Sequence, residues 1–353
     1  MLDVLDIFII ITILAFISFI SFLIYYCYTY NVNGDIEIPD VKWPFINIKD
    51  ENDKNINMLC IRGPFNSDNN EKENIELFKK YIKQGIKFIG CSSYLSYPGL
   101  CNNPNGYCHN NRNRVDGKDI EDYVLGWCHC FRDPDKYIKK NVPKILISES
   151  DFNSDRLKPD YNKELIYDFV TFQPSDDNCE YGWNSHNKNW ILAEKCIKIM
   201  CDKYNLKGVI IGRGDCSINI KNKKNIISTP YIKYDDAINY IKSSKFMLVA
   251  NYEDASPRTI TEALSLDKPI IVNTNILGGW KYVVPETGLF FDDNNFEDKL
   301  NILMENIDKK KYKPRKHYIE NYTIENSGKQ FRDFLKSINP DLSECKYAKF
   351  PIS

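Results

Sequence analysis

The longest apolar run in the chain comes first. Residues 7–30 carry no charged side chain and consist mostly of Ile, Phe and Leu. As a helix this run would be about 36 Å long, enough to cross a bilayer with some tilt. Tyr25, Tyr26, Tyr28 and Tyr30 fall at its end, where an aromatic belt would sit. A cleaved signal peptide is the rival reading. It fits less well: Asp3 and Asp6 stand where a basic region belongs, the run is too long, and no small-residue cleavage site follows. The pattern predicts a single-pass membrane anchor over residues 1–30, then a polar tether over 31–55. Lys42 lies among Asp35, Glu37 and Asp40, so the flanking charges leave the orientation open.

Beyond the tether, short apolar runs alternate with helical patterns. Residues 58–61 and 86–89 read as strands around a helix over 75–83, and 142–148 as a further buried strand. Residues 97–114 are loop-like, rich in Asn, Gly and Pro. From 165 onward the alternation is regular. Strands are expected at 165–172, 208–212, 225–228, 246–250 and 269–272, and helices at 234–243 and 257–266. Trp190, Ala193, Ile197, Met200 and Tyr204 follow steps of three and four, which is one apolar helix face. Repeated β-then-α units of this length predict a doubly wound, mostly parallel α/β sheet with ligands beyond the carboxyl ends of its strands.

Composition narrows the partners. Forty-seven basic side chains balance forty-eight acidic ones, which excludes a nucleic-acid binder working by phosphate neutralisation. With 43% hydrophobic and 27% charged residues the chain is globular rather than disordered. Asn, Lys, Ile, Asp and Tyr are overused, as in the AT-rich genomes of large DNA viruses and protists. Twelve cysteines, one of them inside the anchor, are irregularly spaced and do not read as a disulfide framework.

Residues 251–264 carry the most chemistry: Asn-Tyr-Glu-Asp-Ala-Ser-Pro-Arg-Thr-Ile-Thr-Glu-Ala-Leu. They follow a buried strand. Ser256 is a suitable N-cap and Pro257 suits the first helical position, so free N–H groups would face the ligand crevice and hold a phosphate. Asp254 precedes the cap, and Glu262 lies eight residues on. Both carboxylates can accept hydrogen bonds from sugar hydroxyls. The bland alternative is that they are ordinary charges near a helix start. Downstream come Lys268-Pro269 before a strand, then Gly278-Gly279-Trp280, then Glu286-Thr287-Gly288-Leu289.

In order and spacing, residues 245–291 resemble the nucleotide-sugar half of family 4-type GT-B glycosyltransferases. The resemblance implies two Rossmann-like domains with the donor cleft between them. The expected acceptor-side domain spans 56–160 and is reduced. The nucleotide-sugar domain spans 161–336, and 337–353 form a tail. In that family the second carboxylate, here Glu262, binds the donor ribose. The first, here Asp254, faces the donor sugar; Glu is usual there, and Glu253 is an adjacent register-shifted candidate. His186-Asn187-Lys188 resembles the step whose lysine contacts the diphosphate, although the companion arginine is missing and Gly182 and Trp183 occupy its place. Gly212-Arg213-Gly214 resembles the loop beside the nucleobase. There Arg213 either replaces the missing cation or is a solvated loop residue. Gly63, after the first strand, would let the backbone approach the diphosphate. Glu149 and Asp151 either point into the cleft or cap a following helix.

The implied activity is transfer of a sugar from a nucleoside-diphosphate sugar to a glycan, protein or lipid hydroxyl, with retention, without a metal or other cofactor, at a membrane (a host membrane if the source is viral). A non-catalytic nucleotide- or glycan-binding relic and an epimerase are the rivals. Separately, Cys101, Cys108, His109, Cys128, His129 and Cys130 include enough ligands for a zinc tetrahedron, but their spacing matches no common zinc module. Trp127 and Phe131 around the second trio favour a core strand instead.

Overall fold

The computed structural model describes residues 12–22, 38–66, 70–99, 114–153 and 155–351. Of the apolar run 7–30, residues 12–22 form a helix with exposed side chains; the remainder of the expected anchor lies outside the described residues. Among the described residues no helix is long and apolar enough to cross a membrane.

The first sheet starts inside the expected tether. Strand β1 (Phe45–Lys49) pairs antiparallel with β2 (Asn55–Ile61). Four of its five residues are buried, the polar Asn47 among them. The helix Glu71–Lys83 then leads to β3 (Lys87–Cys91). A hairpin of β4 (Arg114–Val115) and β5 (Lys118–Asp119) stands apart. Strands β6 (Trp127–Cys128) and β7 (Lys144–Ile145) complete the order β1-β2-β3-β6-β7. The strand expected over 142–148 is therefore only two residues long. Pro143 lacks an N–H for the ladder. At Ser148 the chain turns into a 3-10 segment, Glu149–Phe152, and the Asp151 carboxylate accepts the Ser148 N–H at 2.8 Å.

The second sheet follows the expected alternation. It contains β8 (Tyr167–Phe172), β9 (Gly208–Ile211), β10 (Ile226–Thr229), β11 (Ser244–Val249), β12 (Ile270–Asn273) and β13 (Gly288–Phe291). All are parallel, in the order β10-β9-β8-β11-β12-β13. The helical face predicted from Trp190 onward is real: Ala193, Ile197 and Met200 are fully buried against this sheet. Strand order reverses between β8 and β11. A crevice opens beyond their carboxyl ends at such a switch point.

The carboxyl end does not trail off at residue 337. The helix Ile324–Ile338, capped by the Thr323 side chain accepting from Asn326 N–H at 3.1 Å, crosses back to the first sheet. Phe331, Leu335, Leu342, Ala348 and Phe350 are buried with Ile46, Met58, Cys60 and Phe152. Lys49 and Lys349 exchange backbone hydrogen bonds at 2.9 and 2.8 Å. The expected tail is thus part of the first domain's core.

Phe331 is fully buried beside Phe152 and Phe350. Phe331→Ala is expected to cost about 3 kcal/mol of unfolding free energy. Denaturant melts check this; a loss below about 1 kcal/mol would show that the returning helix is not part of the folding core.

Candidate functional site

The loop after β11 is fixed from several sides. Asn273, at the end of β12, donates its side-chain amide to the carbonyls of Ala250 and Asn251 at 3.0 and 3.2 Å. The Leu277 and Gly278 N–H groups donate to the carbonyls of Tyr252 and Asp254 at 2.8 and 2.9 Å. A Cβ at Gly278 would lie 1.9 Å from the Ala255 carbonyl oxygen, so the Gly278-Gly279 turn serves close packing of two loops. Ala255 in turn is buried among Leu59, Phe65 and Trp127 of the first domain.

Two of the expected site residues meet here. The Lys188 ammonium pairs with Oδ2 of Asp254, which also accepts the Asn251 amide at 2.7 Å. Lys188 is delivered by the short helix Trp183–Asn187, and the Tyr252 N–H donates to the Asn187 carbonyl at 2.9 Å. Glu253 Oε1 lies 3.7 Å from His186 Nε2, while Asp254 pairs with the lysine. The start of the short helix is held by Asp176, whose carboxylate accepts the N–H groups of Gly182, Asn184 and Ser185. Burial would raise the Asp176 pKa, but bonds from Ser185, Asn184 and Gly182 outweigh it and hold the carboxyl below its usual range.

Glu262 sits inside the helix Arg258–Ser265 and is buried. Its Oε1 accepts the Asn153 amide at 3.0 Å and the Tyr234 hydroxyl at 3.1 Å. Burial pushes its carboxyl up, against those two bonds and the nearby Arg258 and Arg156.

Two expectations change. Ser256 is not the cap of this helix; Pro257 holds that position. The Ser256 hydroxyl instead lies 2.7 Å from Ser150 Oγ and accepts the Ser150 N–H at 3.0 Å, so a partner in the first domain has claimed it. Arg213 is not a solvated loop residue. Its guanidinium is buried 4.1 Å over the Trp190 ring and donates to Ser185 Oγ at 2.8 Å, and burial lowers its pKa. Gly212 adopts φ 99°, where a side chain would be strained. Gly63 is required by Trp43, whose ring lies 2.3 Å from where a Cβ would be. Arg62 beside it pairs with Glu149 at 2.8 Å.

Sequence reasoning missed other contacts. Cys179 and Cys216 form a disulfide that ties the loop after β8 to the loop after β9. Asp151, 1% exposed at its side chain, accepts from Lys281 Nζ at 2.6 Å and from the Tyr282 hydroxyl at 2.8 Å. It therefore caps its 3-10 turn and bridges the domains together. Trp280 Nε1–H donates to the Cys130 carbonyl at 2.7 Å, a second bridge. Cys128, His129 and Cys130 are buried in and beside β6. Burial pushes both thiols up, and with Lys281 lowers His129 to about 4. Cys101, Cys108 and His109 lie outside the described residues, and no three metal ligands converge among those described.

Two cavities open at the ends of β11 and β12. One of about 440 Å³ is lined by Tyr181, His186, Lys195, Tyr252, Asn273 and Asn275. A second, about 220 Å³, lies where Arg132 and Tyr137 of the first domain face Thr274, Asn275 and Leu277.

Lys281→Ala strands the Asp151 carboxylate in the interior. It is expected to cost about 3 kcal/mol, and adding Asp151→Asn should recover at least half of that. Denaturant melts of the single and double variants check this; purely additive losses would show that the two side chains do not act as a pair.

Residues 181–323 match the family model of glycosyl transferases group 1. No curated protein matches the sequence. Among solved structures, a TarM variant from S. aureus, bound to UDP, α-GlcNAc-glycerol and fondaparinux, superposes with a TM-score of 0.53 at 14% identity, over 75% of this chain and 54% of its own. Anabaena HepE with UDP and glucose gives 0.51 at 10% identity, over 76% of this chain and 77% of its own. Sucrose-phosphate synthase from Thermosynechococcus elongatus gives 0.50 at 12% identity, over 75% and 71%. The chain thus spans about half the length of TarM. Residues 181–323 are thus similar to the glycosyl transferases group 1 family, on a chain with the GT-B fold of glycosyltransferases.

Proposed function

We propose that this chain transfers a sugar from a nucleoside-diphosphate sugar to an acceptor hydroxyl. The observation that carries this reading is the convergence of Lys188 and Asp254 in the loop after β11, with Glu262 buried eight residues further along the same loop and helix. In this reading Glu262 accepts from the donor ribose and Asp254 faces the donor sugar. Lys188 turns from Asp254 to the diphosphate as negative charge builds on it. Arg213 does not supply a second cation to the ligand, since its guanidinium is held over the Trp190 ring; its role is to fix Ser185 and the helix that carries Lys188.

The bond from the anomeric carbon to the β-phosphate oxygen breaks. A bond to the acceptor oxygen forms on the same face, and the acceptor proton leaves with the diphosphate. No group of the protein is covalently modified and no metal takes part in this scheme. Catalysis is then mostly positioning and stabilisation of the leaving diphosphate. The UDP bound in TarM and HepE makes a UDP-sugar the first donor to try. The apolar run at 7–30 would hold the acceptor side near a membrane, which favours a lipid-linked or membrane-protein acceptor.

A second reading, a binding protein without turnover, is favoured by one observation. Asp254 already neutralises Lys188, and the family's companion arginine is replaced by Gly182 and Trp183.

Thermal melts of the full-length chain in detergent with UDP-, GDP- and ADP-sugars separate the readings. One nucleotide class should raise the midpoint, by about 2.7 kcal/mol of stabilisation at a hundredfold excess over Kd. Glu262→Ala should abolish that rise, and the free nucleoside diphosphate should accumulate when acceptor is supplied. Binding without release across glycan, protein and lipid acceptors supports the second reading. No rise with any donor sinks the donor-site assignment.

A further inference from the structure

Glu262 receives its two side-chain hydrogen bonds from two different places in the fold. Tyr234 opens the helix Tyr234–Lys242 of the second domain. Asn153 follows the 3-10 segment Glu149–Phe152, and Phe152 is buried in the first domain's core. Both bonds end on Oε1 and neither uses Oε2. We infer that Asn153 is a positioning residue for the ribose-binding carboxylate: it reaches from the first domain, holds Oε1 of Glu262, and leaves Oε2 to accept from the donor's ribose hydroxyls. This inference rests on the donor-site reading above.

The geometry supports more than simple glue between domains. Asn153 is buried, and an amide that only bridged domains would do so equally well to a backbone carbonyl. Its neighbour Ser150 is fastened to Ser256 at the mouth of the same helix, so the segment from 150 to 153 is registered against the end of the loop that carries Asp254 and against the helix that follows it. Tyr234 is itself held, with the Arg156 guanidinium 5.0 Å over its ring. A carboxylate with one oxygen saturated from two directions presents the other at a fixed angle.

The charges around Glu262 set its pH dependence. Arg258 lies on its own helix, Arg156 on the segment after Asn153, and Tyr234 on the facing helix; burial raises the Glu262 carboxyl while these groups and Asn153 oppose the rise. Burial and Glu262 raise the Tyr234 phenol, which keeps it a donor. Only the ionised carboxylate accepts from both ribose hydroxyls, so affinity falls as pH drops through the raised pKa. Removing the Asn153 amide lifts that pKa further and moves the acid limb to higher pH.

The test is isothermal titration of the full-length chain with UDP, GDP and ADP, and with the 2′,3′-dideoxy form of whichever binds. Asn153→Ala and the near-isosteric Tyr234→Phe should each weaken the ribonucleotide roughly tenfold. They should leave the dideoxy nucleotide unchanged and shift the acid limb upward. Equal weakening of both nucleotides would reduce Asn153 to a structural bridge and overturn the inference, as would affinities and acid limbs equal to those of the unaltered chain. If Asn153→Ala does not fold, Tyr234→Phe and Asn153→Ser decide by the same ribose-against-dideoxy comparison. Failure of the unaltered chain to bind any of the three nucleotides overturns the donor-site reading and the inference with it.

Discussion

A carboxylate withdrawn from water must be surrounded by donors, and Asp151 draws its donors from both sides of the domain boundary. The Ser148 N–H belongs to its own turn, while Lys281 and Tyr282 come from the second domain. An unpaired charge at that depth would cost several kcal/mol, so the docked arrangement is the one in which Asp151 is satisfied. Its consequences run outward along the chain in both directions. Two residues on, Asn153 is carried to Glu262, and one residue back, Ser150 is carried to Ser256. Next to Lys281, Trp280 reaches the Cys130 carbonyl. The relative placement of the two sheets, and with it the width of the crevice, depends on this one buried group being met.

Within the second domain the same logic applies to backbone rather than charge. A loop at the end of a parallel strand has carbonyls and N–H groups that the sheet no longer pairs. Asn273 satisfies two of those carbonyls, and the Leu277–Gly278 backbone satisfies two more. Because Gly278 lets the loops touch, the 252–255 segment has little freedom, and Asp254 is presented to Lys188 without being held by it alone. The lysine is the more adjustable partner. Its helix is short, and its own charge is the part that a diphosphate would compete for.

The parts of this architecture that were legible in the sequence are those whose information is local. The second sheet could be read because each strand is a short apolar run and each helix an apolar face, as in Trp190 to Met200. Asp254 and Glu262 could be nominated because a loop, a helix start and a seven-residue gap form one contiguous pattern, and Lys188 because 186–188 resemble a family motif. Strand β1 went unread although Ile46-Asn47-Ile48-Lys49 alternate, because so short a run does not stand out from a polar segment, and the return of 324–350 to the first sheet could not be read because an amphipathic helix does not state which surface it covers. Side-chain roles failed in the same way. Ser256 and Arg213 are residue types that suit a cap and a cation, and each was claimed by a partner distant in sequence: Ser150 and Trp190.

That failure has a physical content. A serine before a proline will cap a helix only if no better acceptor or donor is nearer. Here the first domain brings an N–H and a hydroxyl to Ser256, and the cap is given up. The loop after β11 is therefore not a free phosphate cradle that a second domain happens to cover. Ala255 lies within the first domain's apolar core and Leu277 packs against that core, so part of the site's own framework is buried in the opposite half of the molecule. Separating the domains would expose that apolar surface, break Ser150 from Ser256, and leave Oε1 of Glu262 with Tyr234 as its one side-chain donor. The second domain by itself contains the carboxylates and the lysine, but the aim of Glu262 and the immobility of its loop are properties of the two domains in contact.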